Sequence, residues 1–296
     1  MPARFPIRPG YLFSLHPRGQ SGGITVPDQK KIGIFDSGVG GISVLRVLLK
    51  ELPAHDVIFV ADQAHVPYGR RPLEEVQTFS FEITRWLLDR DCAEIIVACN
   101  TASAAALHEL RAAFPQVPFV GMEPAVKPAA EQTRTGTVGV IATPATFQGA
   151  LYASVIERFA NHVTVLENTC PGLVEEIEAG HLRGAETRRI LETALHPMLK
   201  KGIDTVVLGC THFPLVIPLI QEITGPQVRV IDPAPAVARQ AVRVFPGGNA
   251  DLKRKRRVEA FTTGDPERLR TLVSLFIKEE TIIRPLAWDA ANHLEP

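Results

Sequence analysis

Two cysteines follow apolar, β-branched stretches, at the points where strands would end. Cys99 lies in "IIVACNTASA" and Cys210 lies in "VVLGCTHFPL", and polar residues follow each cysteine at once. A thiol in such a setting can act as an acid or, once ionised, as a base. Two such groups on opposite sides of one carbon could remove a proton from one face and return a proton to the other. That reaction inverts a stereocentre.

The segment after Cys99 indicates how its thiolate could be stabilised. A free thiol has a pKa near 8.5, and lowering it by about 1.5 requires about 2 kcal/mol. "NTASAAALHEL" predicts a helix with Thr101 or Ser103 as its N-cap. Backbone N–H groups at that helix start would lie near the sulfur and near any bound anion. We therefore expect them to favour the Cys99 thiolate, while Pro214 is compatible with a helical turn after Cys210.

The other two cysteines lack this setting. Cys92 stands at the start of an apolar stretch and is interpreted as a packing residue, and Cys170 in "NTCPGL" has no counterpart elsewhere in the chain. Four scattered cysteines without a CxxC pair indicate neither a disulfide framework nor a zinc ribbon. We expect reduced thiols, a cytosolic setting and no metal site.

Short apolar stretches alternate with longer helical patterns along the chain. "KIGIF", "DVIFVA" and "EIIVA" are each followed by a helical pattern, such as "GISVLRVLLKEL" after the first. This alternation predicts βαβ units and a mostly parallel, doubly wound sheet with helices on both faces. In such sheets ligands bind beyond the carboxyl ends of the strands.

An internal repeat indicates two units of this kind. "KIGIFDSG" matches "TVGVIATP", "IIVACNT" matches "VVLGCTH", and "VGMEPA" matches "RVIDPA", in the same order and with similar spacing. We therefore predict two pseudo-symmetric α/β domains that face each other across a central cleft, each with a cysteine at a strand end. Residues 31–127 with 236–296 would form the first domain, and residues 128–235 the second.

The charge balance and the sequence of particular segments limit the classes of binding partner that we expect. The chain has 296 residues, and its 32 Lys and Arg balance its 32 Asp and Glu, which weighs against nucleic acid or an acidic membrane as partner. No apolar run is long enough to span a bilayer. Residues 1–30 are rich in Pro, Gly and Arg and predict a weakly ordered extension or a docking arm. The basic stretch 253–257 is a solvated charged segment or, in a competing hypothesis, a nucleic-acid contact.

Four motifs together resemble one family. "IFDSGVGGISVL", "VPYG", "VACNTAS" and "GCTHFPL" closely resemble glutamate racemase, over a span from Lys31 to Phe276. The resemblance implies the aspartate/glutamate racemase fold and a cofactor-independent, cytoplasmic enzyme that supplies D-glutamate for bacterial peptidoglycan. It also implies a homodimer and a peptidoglycan-precursor activator. A related decarboxylase group keeps only one of the two thiols.

The resemblance implies a role for each motif residue. Cys99 would abstract the α-proton of D-glutamate with help from Asp36, and Cys210 would act on L-glutamate with help from His212. Glu178 aligns with a family glutamate near the second thiol, although Glu175 competes for that position. The positions that hold the substrate would be Asp36, Ser37, Tyr68, Gly69, Asn100, Thr101, Thr211 and His212.

Several alternatives remain open at this stage. Taken alone, Asp36 could be a helix cap or turn residue, and Tyr68 a turn aromatic. Where many relatives have Asp-Thr before "PYG", this chain has Asp62 and Gln63, which changes a detail of the hydrogen bonding. A sibling racemase for aspartate or another small acid differs only in pocket length. A further hypothesis is that Cys99 and Cys210 are redox-sensing cysteines.

Overall fold

The computed structural model describes residues 30–52, 54–247 and 255–295. The extension predicted for residues 1–30 falls outside the described residues except for its last residue, as do residues 253 and 254 of the basic stretch. Within those described ranges, no helix has the length and apolar character needed to cross a membrane.

In the part of the chain that the structure describes, ten strands form two parallel sheets, and a short antiparallel hairpin follows them. The first sheet contains β1 (Lys31–Asp36), β2 (Val57–Ala61), β3 (Cys92–Val97), β4 (Phe119–Gly121), β9 (Val258–Thr262) and β10 (Ile282–Pro285). The second contains β5 (Thr137–Ala142), β6 (Thr164–Asn168), β7 (Thr205–Gly209) and β8 (Arg229–Ile231). The hairpin pairs β11 (Ala287–Trp288) with β12 (Leu294–Glu295).

The repeat in the sequence corresponds to equivalent strands. The order β2-β1-β3-β4 in the first sheet recurs as β6-β5-β7-β8 in the second, and β9 and β10 extend the first sheet beyond β2. The three matched sequence pairs are therefore β1 with β5, β3 with β7, and β4 with β8. The prediction of two doubly wound, parallel α/β units is confirmed.

Helices connect the strands and cover the sheets. They are α1 (Ile42–Glu51), α2 (Leu73–Leu88), α3 (Asn100–Ala113), α4 (Val126–Gln132), α5 (Pro144–Gln148), α6 (Ala150–Phe159), α7 (Leu173–Glu178), α8 (Ala185–Lys200), α9 (Ile217–Thr224), α10 (Ala234–Val244) and α11 (Pro266–Phe276). Short 3₁₀ turns lie at Val39–Gly41, Tyr68–Arg70 and Phe213–Val216. All the crossovers within each sheet join parallel strands, which requires such intervening helices.

Both faces of the first sheet are buried. In β2, Val57 and Phe59 point into the core beneath α1 and α10, whereas Ile58 and Val60 point into the core beneath α2 and α3. A strand with apolar side chains on both faces reads as a continuous hydrophobic run, which is why "VIFVA" lacks alternation. This double cover fixes the strand register and leaves the carboxyl ends of the strands free to carry polar residues.

Helix packing shows how the chain passes between the units. α4 packs on α6 and β7 of the second unit, and α10 packs on α1 of the first. The chain thus leaves the first sheet after β4 and returns after β8. The domain limits proposed from the sequence, at 127–128 and 235–236, remain a prediction.

The described part of the basic stretch makes ion pairs within the molecule. Lys255 pairs with Glu280, Arg256 with Glu279, and Arg257 with Glu259. Because these cations already face carboxylates, they offer little free charge to a phosphate backbone. The interpretation as a solvated, charged segment before β9 accounts for them.

A buried carboxyl in β3 makes stability depend on pH. Glu94 is fully buried, and neither of its carboxylate oxygens has a hydrogen-bond partner within the described ranges. Burial raises its pKa from the ordinary 4.5 to about 8. The folded state therefore holds a proton that the unfolded state releases above its lower pKa. Stability from this group is complete below 4.5 and declines as pH rises towards 8.

We expect Glu94→Gln, which cannot ionise, to gain stability relative to the wild type by about 3 kcal/mol between pH 5 and pH 8. Urea unfolding of both proteins at the two pH values measures the difference. Glu109→Gln, on the exposed face of α3, is the matched control and should show a constant difference. A constant difference for Glu94→Gln as well would mean that its carboxyl is hydrated or paired.

Candidate active site

The two cysteines line one cleft between the sheets. Cys99 follows β3 and Cys210 follows β7, so the equivalent strands deliver both thiols from opposite sides. The cleft is nearly closed, with a cavity of about 10 Å³. Seven other residues singled out in the sequence line it with them, namely Ser37, Tyr68, Gly69, Asn100, Thr101, Thr211 and His212. Pro67 of "VPYG", Thr143 and Val174 complete the lining, and none of the three was among the predicted site residues.

Cys99 caps the helix that follows it with its own sulfur. Helix α3 begins at Asn100, and the backbone N–H of Ala102 donates to Cys99 Sγ over 3.5 Å. The prediction that Thr101 or Ser103 is the N-cap is therefore wrong. The two hydroxyls are used elsewhere, because Thr101 bonds Thr143 across the cleft at 2.9 Å and Ser103 donates to the carbonyl of Val97.

The surroundings of Cys99 favour its neutral thiol. Burial and the negative charge of Asp36 raise the pKa of Cys99 well above its ordinary value. The Ala102 N–H and the hydroxyl of Ser37, 3.8 Å from the sulfur, oppose this effect but do not outweigh it. The N–H group at the helix start acts in the expected direction, but the net shift of the Cys99 pKa is upward and not the lowering that the sequence predicted. A thiol that keeps its proton can act as a proton donor.

Asp36 joins the first turn to the second unit. It is fully buried at the end of β1, and its Oδ2 accepts the N–H groups of Gly38 (3.2 Å) and Gly41 (2.9 Å). Its Oδ1 accepts the hydroxyl of Thr211 over 3.2 Å. Burial raises the pKa of Asp36, although the charge of His212 acts in the opposite direction. The residue therefore organises a turn and also lies beside the first thiol.

A buried chain of three residues ends at the second thiol. Cys210 Sγ lies 3.7 Å from Nδ1 of His212, whose Nε2 lies 2.6 Å from Oε1 of Glu178. Burial opposes charge on His212, but its contacts with Cys210 and Glu178 prevail and raise its pKa well above the ordinary value. The pKa of Glu178 is lowered despite burial, because His212 and further donors stabilise its carboxylate. The imidazolium places a positive charge next to the Cys210 sulfur.

The structure separates the two candidate glutamates. Glu178 is buried against His212, whereas Glu175 is partly exposed and pairs with Arg70 at 2.5 Å. Only Glu178 is therefore placed to act on the second thiol through a neighbour.

Glycine is required where the first turn meets the second unit. A Cβ atom on Gly40 would lie 2.5 Å from Nδ1 of His212 and 2.7 Å from its backbone nitrogen. A Cβ on Gly38 would overlap Oε1 of Glu178. The glycine-rich "DSGVGG" segment therefore permits close approach of backbone to the His212–Glu178 pair, and α1 starts directly after it at Ile42.

Tyr68 lines the cleft, but its hydroxyl group hydrogen-bonds to a residue that is not part of the cleft lining. Its OH donates over 2.6 Å to Asp62, a buried carboxylate that also accepts the indole N–H of Trp288 (2.7 Å) and the hydroxyl of Thr263 (2.7 Å). Burial and the charge of Asp62 raise the pKa of Tyr68 well above its ordinary value. Asp62 and Trp288 are supporting residues that the motif analysis missed, and only Asp62 had a sequence signal, its place before "PYG".

The amide of Asn100 is unpaired at the edge of the cleft. Both polar atoms of its side chain are buried, and no described residue hydrogen-bonds to either of them. Buried polar groups are rarely left without a partner, so this amide is suited to a ligand that offers both a donor and an acceptor. No cluster of three or more His, Cys, Asp or Glu suited to a metal ion occurs in the part of the chain that the structure describes.

Known proteins are similar to this chain in sequence and in fold. The family model described as Asp/Glu/Hydantoin racemase matches residues 32–241. A glutamate racemase from Roseiflexus sp. is 47% identical over 249 residues, which cover 82% of this chain and 91% of the relative. One from Pseudomonas paraeruginosa is 53% identical over 214 residues, covering 72% and 81%.

Solved structures agree with the sequence relatives. The crystal structure of Escherichia coli glutamate racemase, in complex with L-glutamate and the activator UDP-MurNAc-Ala, superposes with a TM-score of 0.77 at 32% identity. The match covers 88% of this chain and 98% of that one. Glutamate racemase RacE1 from Bacillus anthracis gives a TM-score of 0.76 at 30% identity, with 88% and 98% coverage. The chain therefore belongs to the Asp/Glu/hydantoin racemase family and, within it, to the glutamate racemases, which are isomerases.

Proposed function

We propose that this enzyme interconverts L- and D-glutamate by a two-base mechanism in which Cys99 and Cys210 are the acid and base. The observation that carries the proposal is that two pseudo-equivalent strand ends present both thiols to one cleft. A thiol on each side of the α-carbon matches the need to remove a proton from one face and deliver a proton to the other.

The reaction balances without another reactant. With L-glutamate, the Cys210 thiolate takes the α-proton, and the electron pair of the C–H bond remains on the α-carbon and its carboxylate. The Cys99 thiol then donates its proton to the opposite face, which yields D-glutamate, a Cys99 thiolate and a Cys210 thiol. D-glutamate follows the same path in reverse. The raised pKa of Cys99 favours the thiol that this direction requires on that side of the cleft.

The difficult part of this chemistry is to stabilise the negative charge that develops on the α-carbon and its carboxylate when the proton leaves. The first residues of α3, Asn100 and Thr101, line the cleft, and the unpaired amide of Asn100 is free to donate to a substrate carboxylate there. Fixed donors of this kind act most strongly where water is excluded, as between two closed domains. We assign Asp36 and His212 to support the first and second thiol. Substrate binding falls to Ser37, Tyr68, Gly69, Asn100, Thr101 and Thr211.

The biological setting is proposed from the relatives. D-glutamate for peptidoglycan would be the product used by the cell. A peptidoglycan precursor as activator, a homodimer, independence from cofactors and a cytoplasmic location remain predictions for this chain. Aspartate is the competing substrate, because it carries the same groups on a shorter side chain.

Incubation with L-glutamate in D₂O, without added cofactor, tests the proposal. We expect early D-glutamate to carry deuterium at the α-carbon while the remaining L-glutamate keeps its α-proton, because a different group protonates each face. NMR of the separated enantiomers measures this. L-Aspartate in a parallel incubation should remain largely unchanged. Faster conversion of aspartate, or D-glutamate that retains the original proton, would contradict the proposal.

Replacing each thiol in turn tests its role. Cys99→Ser and Cys210→Ser should each lower kcat by about 10²–10⁴-fold, the range for loss of a general acid or base, because a hydroxyl ionises far less readily than a thiol. Racemisation followed by circular dichroism measures the change. Cys92→Ser, buried at the far end of the strand that precedes Cys99, is the matched control and should retain activity. Equal losses in all three variants would point to packing instead of proton transfer.

A further inference from the structure

We infer that Gln63 is a positioning residue for the second thiol: its amide crosses the cleft and fixes Glu178, which orients His212 against Cys210. The inference rests on the two-thiol function proposed above. Gln63 lies just after β2 in the first unit, and Glu178 ends α7 in the second. The contact is thus a hydrogen bond between the two units, at the position where this sequence departs from the Asp-Thr pair.

Glu178 uses its two oxygens for different tasks. Oε1 accepts the backbone N–H of Val39 at 2.8 Å and faces Nε2 of His212 at 2.6 Å. Oε2 accepts the Nε2–H of Gln63 at 2.8 Å. A carboxylate held at both oxygens cannot rotate about its terminal bond without losing one of these contacts. Gln63 therefore keeps Oε1 directed at the imidazole, and the hydrogen bond also favours the anionic carboxylate.

The orientation of the Gln63 amide is itself determined. The hydroxyl of Thr262, fully buried at the end of β9, donates to Oε1 of Gln63 over 2.7 Å. The same hydroxyl accepts the N–H of Gly264, so its own hydrogen is free for Gln63. With Oε1 engaged as an acceptor, the NH₂ group must point towards Glu178. A Cβ atom on Gly264 would come within 2.7 Å of Cβ of Gln63, so the side chain is also confined by close packing.

A continuous series of hydrogen bonds leads from the first sheet to the second thiol. Thr262 orients Gln63, and Gln63 holds Glu178. Glu178 stabilises the protonated form of His212, which lies beside Cys210. Among the described residues, Cys99 makes no hydrogen bond to Thr262, Gln63, Glu178 or His212; its sulfur is placed by Ser37, the Ala102 N–H and Asp36. Loss of Gln63 should therefore weaken proton transfer at one thiol and spare the other.

Isotope effects can assign the loss to one thiol. Because the two enantiomers have equal free energies, kcat/KM must fall equally in both directions and cannot say which thiol is affected. A slower step at Cys210 should raise the primary isotope effect with α-deuterated L-glutamate, whose deuteron leaves to that thiol. It should lower the effect with α-deuterated D-glutamate, because removal of that deuteron by Cys99 then limits the rate less.

The test compares Gln63→Met with Gln77→Met. Methionine keeps the size of glutamine and makes neither hydrogen bond. We expect kcat to fall about tenfold with KM changed less than about twofold, as for a lost hydrogen bond to a charged group, and the two isotope effects to move in opposite directions. Gln77 donates to the carbonyl of Ala105 within the first unit, so the same change there should leave kinetics unchanged.

A second variant covers the case in which Gln63→Met does not fold. Thr262→Val removes the donor that orients Gln63 and should shift the isotope effects in the same directions by smaller amounts. Unchanged kcat, a loss confined to KM, or isotope effects that change equally for both enantiomers would overturn the inference while the wild type still racemises glutamate. A wild type that does not racemise glutamate would remove the proposed function and, with it, this inference.

Discussion

The hydrogen bonds that cross the cleft are the constraint on which the site depends. Thr211 donates to Asp36, the Val39 N–H donates to Glu178, and Thr101 contacts Thr143. Each bond joins a residue of the first unit to a residue of the second. A thiol at a single strand end can exchange a proton on only one face of a substrate. Two faces become accessible only because these bonds hold two such ends opposite each other around a small cleft.

The backbone of the site is nearly symmetric, but its charges are not. In the repeat that aligns β1 with β5, Ala142 is the residue equivalent to Asp36, and Thr143 is the residue equivalent to Ser37. A negative charge therefore lies beside the first thiol, while an imidazolium lies beside the second. These surroundings keep a proton on Cys99 and place a positive charge at Cys210. The two thiols of the site therefore have different electrostatic surroundings although their strands are equivalent.

Local patterns in the sequence were sufficient for the architecture and for the position of the thiols. The apolar runs predicted the strands, the repeat predicted the second sheet, and parallel strands place their carboxyl ends at one edge. Thr143 could have been found in the same way, since it aligns with Ser37 in the repeat. The cap of α3 was predicted wrongly because hydroxyl side chains usually fill that position, whereas here the sulfur of Cys99 does. Contacts such as Trp288 with Asp62 join distant segments, and no local spacing encodes them.

A crystal structure of the enzyme with bound D- or L-glutamate tests the central claim most directly, through the position of the α-carbon relative to the two sulfurs. We expect Cys99 Sγ and Cys210 Sγ to lie in van der Waals contact with the α-carbon on opposite faces, with the α-carboxylate next to the Asn100 amide at the start of α3. A substrate that touches one sulfur only, or both from the same face, would contradict it.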